Sequence, residues 1–141
     1  MIEPESIMEK IQKDKLIKYW RDGAKKSLEL ANCVMRNGYY DHALFCGHLA
    51  LEKLLKSMMV EETNSSAPRS HDLLYLAGLV KIDLSSEQRK ALVEINTFNI
   101  AGRYFEEKLE FHKRISKSKA VKWLKIINEM YLWLSKRRGK N

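Results

Sequence analysis

"HLALEKLLKSMM", residues 48–59, decides the fold. Wound as an α-helix, it turns Leu51, Leu54, Leu55, Met58 and Met59 onto one broad face, and Ala43, Leu44, Cys46 and Ala50 widen that face. A helix apolar over most of its circumference belongs at the centre of a packing of other helices. The pattern extends in both directions and predicts a helix from about Tyr40 to Glu62. One polar ridge interrupts it. Asp41, Phe45, His48, Glu52 and Lys56 fall within a stripe about 80° wide, with His42, Leu49 and Lys53 on the adjoining strip. Glu52 and Lys56 are spaced i, i+4 in the favourable order, which by itself contributes only a few tenths of a kcal/mol. Such a ridge is either a solvated edge of the central helix or one wall of a binding groove.

Upstream, Ile17, Trp20, Ala24, Leu28, Ala31, Val34 and Met35 share a helical face, so a first helix runs roughly from Asp14 to Arg36. Asn37-Gly38 stops it, because glycine tolerates the left-handed backbone that often ends a helix. Residues 4–12 add a turn or two ahead of it, within an N-terminal extension at 1–13. Downstream, "TNSSAPRS" (63–70) is a loop. A short helix begins near Ser70 in "SHDLLYLAGLV", where His71-Asp72 is placed to cap it. Another follows the Ser-x-x-Gln capping box at Ser85–Gln88 and runs to about Asn99. The last, roughly Ser118 to Lys136, carries Ala120, Leu124, Ile127, Tyr131 and Leu134 on one face and leads into a basic tail at 137–141. No segment alternates with the period of a strand. These patterns predict an all-α protein, an antiparallel up-and-down bundle of four long helices and a short one, forming one domain over 1–141.

The composition excludes several classes. No run of apolar residues is long enough for a membrane span, and "MIEPESIMEK" lacks the apolar core of a secretory signal, so a cytoplasmic location is expected. Cys33 and Cys46 lie in apolar helical patterns without metal-ligand spacing and read as reduced, buried thiols. The four histidines form no H-x-x-x-H pair, so no metal site is expected. Neither a phosphate-binding glycine loop nor a G-x-S-x-G nucleophile is present, and no cofactor is implied. The net charge of +8 is uneven: residues 113–141 hold ten Lys/Arg against the single acid Glu129. That segment suits phosphate polyanions, acidic protein surfaces or anionic lipid, or is simply a solubilising face. Lysine neutralises phosphates without reading sequence, so nucleic-acid binding there would be salt-sensitive and nonspecific. Membrane attachment would need the Trp123 and Leu124 face that the bundle core requires.

A second constellation is "FNIAGRYFEEK", residues 98–108. Arg103 sits where the chain leaves the fourth predicted helix and offers a planar fork of donors for phosphate or carboxylate. Tyr104 adds a ring that could stack on a base or fill the core. Alternatively, Arg103 caps helix carbonyls or pairs with Glu52.

Together, "YYDHALFCGHLALEKLLKSMM", "SHDLLYLA" and "AGRYFEE", in that order, resemble the HEPN domain (higher eukaryotes and prokaryotes nucleotide-binding domain) over about residues 14–136. The matching positions are Ala50-Leu51-Glu52-Lys53-Leu54-Leu55-Lys56, His71-Asp72-Leu73 and Arg103-Tyr104. The resemblance implies a four- or five-helix bundle, usually a homodimer, often encoded beside a minimal nucleotidyltransferase in a two-component, toxin–antitoxin-like system. It also implies a site that binds a nucleotide or polynucleotide, for which His48, Glu52, Lys53, Lys56, Arg103 and Tyr104 are the candidates here. Ribonucleases of this family resemble one another in an Arg-x(4–6)-His motif near the end of the fourth helix. In this chain eight residues separate Arg103 from His112, and the pair with the right spacing, Arg36 and His42, lies between the first two helices. The reading is therefore a non-catalytic binding module, with a metal-independent ribonuclease as the alternative. Glu52, Lys56 and Arg103 are expected to converge on one groove, with Lys53 at its edge and Glu52 within ion-pair reach of Arg103.

Overall fold

A computed structural model describes residues 4–137 of the chain, with side chains from residue 9 onward. Six helices follow one another: α1 (Pro4–Arg36), α2 (Tyr40–Thr63), α3 (Leu73–Leu79), α4 (Ser86–Asn96), α5 (Phe105–Arg114) and α6 (Lys117–Arg137). No strand occurs among the described residues. Gly38, at φ +84°, turns the chain out of α1, and the amides of Gly38 and Tyr39 return to the Met35 and Val34 carbonyls at 3.1 and 3.0 Å. A connection this short leaves α1 and α2 antiparallel neighbours.

The apolar circumference of α2 has its predicted consequence. This helix packs between α1 and α6, and its Leu44, Leu51, Leu54 and Leu55 are fully buried. The α2–α6 contact is close because of one residue: a Cβ on Gly47 would stand 2.8 Å from Ile127 Cδ1. Asn32 of α1 and Asn128 of α6 exchange amide hydrogen bonds of 3.1 Å in both directions, fixing the register of the outer pair. At α4 the Ser85 hydroxyl accepts from the Gln88 amide at 3.1 Å, while the Gln88 side chain accepts from the Ser85 amide at 2.8 Å.

The all-α bundle stands, with a different inventory of helices. Three are long and three are short, because α5 occupies a stretch to which periodicity assigned no element. Of its ten residues only Phe111 is buried, so it carries almost none of the apolar periodicity that marks a core helix. Phe111 and Trp123 both pack on Phe98, with ring centroids 6.1 and 5.8 Å away. The N-terminal extension is no separate segment within the described residues, since α1 runs unbroken from Pro4. A proline at the start of a helix has no amide to waste and a suitable φ. Residues 138–141 of the basic tail lie outside the described residues. Cys33 is exposed rather than buried, on the outer face of α1, whereas Cys46 is half-buried and its thiol is pushed up by desolvation.

Candidate functional site

The polar ridge of α2 is neither a solvated edge nor an open groove. It is a closed, buried hub. His48 is 0% exposed, Glu52 4% and Lys56 5%, a burial that charged groups reach only when paired. Glu52 Oε2 accepts from Lys56 Nζ at 2.9 Å, and Oε1 accepts from His71 Nδ1 at 2.9 Å. The Lys56 ammonium also lies 5.1 Å from the centroid of the Trp20 ring, so α1 supplies an aromatic face to the same charge. His48 Nε2 donates to the His71 carbonyl at 3.0 Å, which leaves its Nδ1 unprotonated, without a partner and 3.8 Å from Glu52 Oε1. Burial holds the His48 imidazole below its ordinary pKa, outweighing the carboxylate beside it, so the ring is neutral.

The remaining matched positions serve the same junction. Asp72 Oδ1 accepts from the Leu74 and Tyr75 amides at 3.0 and 3.4 Å and caps α3, as its position predicted. Asn96 of α4 donates to Asp72 at 3.0 Å and accepts from the Leu73 amide at 2.9 Å. Leu73 is fully buried. His71-Asp72-Leu73 thus ties α3 to α2, to α4 and to the core through three consecutive residues. Lys53 reaches the other way: its Nζ donates to Ser27 Oγ at 2.9 Å, bracing α1 against α2.

Arg103 does not join this hub. Both Glu52 oxygens are taken by Lys56 and His71, whereas exposed Arg103 lines a separate hollow of about 550 Å³ with Glu106, Glu107, Glu110 and Phe111. The expected Glu52–Arg103 convergence is therefore replaced by two separate features. Gly102, at φ +77°, swings the chain outward before α5 and carries Arg103 and Tyr104 away from the bundle. Tyr104 is 78% exposed, so it fills no core.

Sequence reasoning missed one cluster. Asp41, buried at the start of α2, accepts from His112 Nδ1 at 3.0 Å and from His42 Nδ1 at 3.2 Å. Burial pushes the Asp41 carboxyl up, but the His112 hydrogen bond and the neighbouring His42 outweigh it and hold the carboxyl below its ordinary value. Both imidazoles are about two-thirds exposed. No local signal joins positions 71 residues apart; the clue in hindsight was an aspartate on the polar stripe of an otherwise apolar helix. Among the described residues, no group of three or more His, Cys, Asp or Glu side chains is arranged to hold a metal ion.

A further hollow, about 740 Å³, lies between α4 and α6 and is lined by Asp83, Glu87, Glu129, Met130, Trp133 and Arg137. There the Arg137 guanidinium lies over the Trp133 ring, 3.9 Å from its centroid. No helix among the described residues is long and apolar enough to cross a membrane.

A helical bundle centred on a buried Glu-Lys-His hub, with an Arg-Tyr pair carried outward on the next turn, defines a class. The model of the HEPN domain matches residues 17–138, and the chain belongs to that family. The crystal structure of TT1696 from Thermus thermophilus superposes with a TM-score of 0.72 at 17% identity, over 86% of this chain and 97% of that one. At that identity the likeness shows a shared fold. A search of curated protein sequences found no match.

Proposed function

We propose that the protein is a nucleotide- or polynucleotide-binding module without catalysis of its own. It would act in the cytoplasm as a homodimer beside a minimal nucleotidyltransferase, in a two-component, toxin–antitoxin-like system. The observation that carries the non-catalytic part is the separation of Arg103 from His112. Arg103 precedes α5 and His112 lies in its last turn, with eight residues between them where the ribonuclease motif has four to six. A metal-independent cleavage would need an imidazole to move the proton and a cation at the same phosphate to stabilise its charge. Here the spacing of the two groups departs from that motif, which supports binding over cleavage.

Binding is supported by the exposed Arg103 and Tyr104, a guanidinium and a ring free to meet a phosphate and a base. Lys113, Arg114, Lys117, Lys122 and Lys125, all exposed along the end of α5 and the early turns of α6, extend the positive surface. His48, Glu52, Lys53 and Lys56 support that surface from behind, as the frame of the bundle, rather than touching the ligand. Titration of labelled single-stranded RNA, with anisotropy as the readout, tests this reading. Arg103→Ala and Tyr104→Ala should each weaken binding several-fold, and unchanged affinity in both would overturn it.

One observation favours the ribonuclease alternative. Asp41 holds His112 by Nδ1, leaving Nε2 on the exposed edge of the ring, the arrangement of an oriented general base. Incubation of RNA with the protein in EDTA should leave the RNA intact. Cleavage lost in both Arg103→Ala and His112→Ala would establish the alternative instead.

A further inference from the structure

Arg103 and His112 lie on the chain between the end of α4 and the start of α6. The hollow between these two helices is built from their other ends, the start of α4 and the second half of α6. On α6 its wall is one stripe, Glu129, Trp133 and Arg137, spaced i, i+4, i+8. Asp83 and Glu87 line it from the start of α4. Three exposed carboxylates thus share a hollow with one indole, on a chain whose net charge is +8. None of the three is in an ion pair among the described residues. Asp83 and Glu87 have a local reason to be acidic, since negative charge near a helix N-terminus is stabilising. Glu129 has none: it sits within α6 and is the single acid of residues 113–141. The one base that lines the hollow, Arg137, lays its guanidinium on the Trp133 ring rather than on a carboxylate.

We propose that this hollow docks an arginine-bearing basic segment of a partner protein, and that Arg137 holds the place of the incoming arginine in the free chain. The covered Trp133 face is the observation that selects arginine. A guanidinium is flat, so it stacks on an indole and keeps its N–H edge free to fork onto a carboxylate; a lysine ammonium has no such plane. Arg137 is exposed and can swing into solvent to vacate the ring. A second arginine of the segment then meets Glu129, or Asp83 and Glu87 on the α4 side, and none of them has to give up an ion-pair partner. At about 740 Å³ the hollow is in the size range of sites that enclose a small ligand, so it has room for such side chains. The net positive charge of the whole chain repels a basic segment, so binding of one reports this acidic island and not a general attraction.

Anisotropy of a labelled Gly-Arg-Gly-Arg-Gly-Arg peptide, titrated with the full chain, tests the proposal. Trp133 is half-buried in the bundle, so the variants leave it in place, and thermal melting checks that each is folded. Arg137→Ala should bind the peptide several-fold more tightly than wild type, because the ring is vacated. Glu87→Gln with Glu129→Gln should weaken binding several-fold, and so should replacing every arginine of the peptide by lysine. Absence of binding by both wild type and Arg137→Ala would overturn the proposal, as would unchanged affinity in the double Gln variant. Binding by Arg137→Ala no tighter than wild type would refute the place-holding role, and equal affinity for the lysine peptide would refute the selection of arginine.

Discussion

Truncating Glu52 to Ala should be among the most damaging single changes to this bundle. Its carboxylate is 4% exposed and supplies the anionic partner of Lys56, itself 5% exposed, at 2.9 Å. Removing it leaves an ammonium buried against the Trp20 ring, with no carboxylate to balance it. Breaking a buried pair from one side costs about 3–5 kcal/mol. At roughly 3–4 °C per kcal/mol for a chain of this size, the melting temperature should fall by about 9–20 °C. His71 adds little to that loss, because its exposed ring can turn to water. Replacing both partners by apolar residues of similar volume, Glu52→Leu with Lys56→Met, should recover most of the stability and end within about 1 kcal/mol of the wild type. Urea unfolding of the wild type, both single variants and the double variant gives the coupling directly. If Glu52→Ala loses less than about 1 kcal/mol, or if the two single losses simply add, the hub does not hold the bundle as argued.

Three further outcomes follow from the geometry. His48 is buried neutral, with its pKa held below the ordinary value, so the unfolded chain takes up a proton first; stability should fall as pH drops from about 7 toward 5, and His48→Gln should flatten that part of the urea profile. The Asp41 carboxyl is depressed in the fold, so its stabilisation is complete above the unfolded value of about 4 and is lost as pH falls through the folded one; an Asp41→Asn variant should be weaker than wild type at pH 7 and converge with it in acid. Gly47→Ala would push a methyl group to 2.8 Å from Ile127 Cδ1 and should cost about 1–3 kcal/mol by overpacking, with partial rescue by Ile127→Val in thermal unfolding.

The central helix was legible because its information is local. Leu51, Leu54 and Leu55 recur at helical spacing, and nothing but a surrounding core satisfies them. The capping box at Ser85 and the Asp72 cap were legible for the same reason, since donor and acceptor lie within three residues. Helix α5 was not, because its apolar residues, Phe111 apart, face away from the bundle, and charge-rich periodicity alone does not announce a helix. The site shows the limit most clearly. The ridge of α2 could be drawn from the sequence, but its role depended on what covered it, and the covering residues come from Trp20 and His71.

That covering changes what the matched positions mean. Glu52, Lys56, His71 and Asp72 were grouped by a motif, and a motif on a bundle invites the reading of a ligand groove. In the fold each has its polar group answered from within the chain, and the buried atoms left without a hydrogen bond around it are His48 Nδ1 and the Nε1 of the covering Trp20. A ligand arriving there would have to displace Lys56 or His71 from a buried carboxylate, at a cost of the same order as breaking the pair. Arg103 and Tyr104 face no such competition, since both are exposed on the segment leading into α5. The motif therefore divides into a part that holds α1, α2, α3 and α4 together and an exposed part to which the proposed function assigns binding. Loss of the first should appear as loss of folding, and loss of the second as loss of binding in a protein that melts normally. Comparing melting and RNA affinity in Glu52→Gln and Arg103→Ala separates the two directly. An Arg103→Ala variant that melted well below wild type would move Arg103 from the binding surface into the frame.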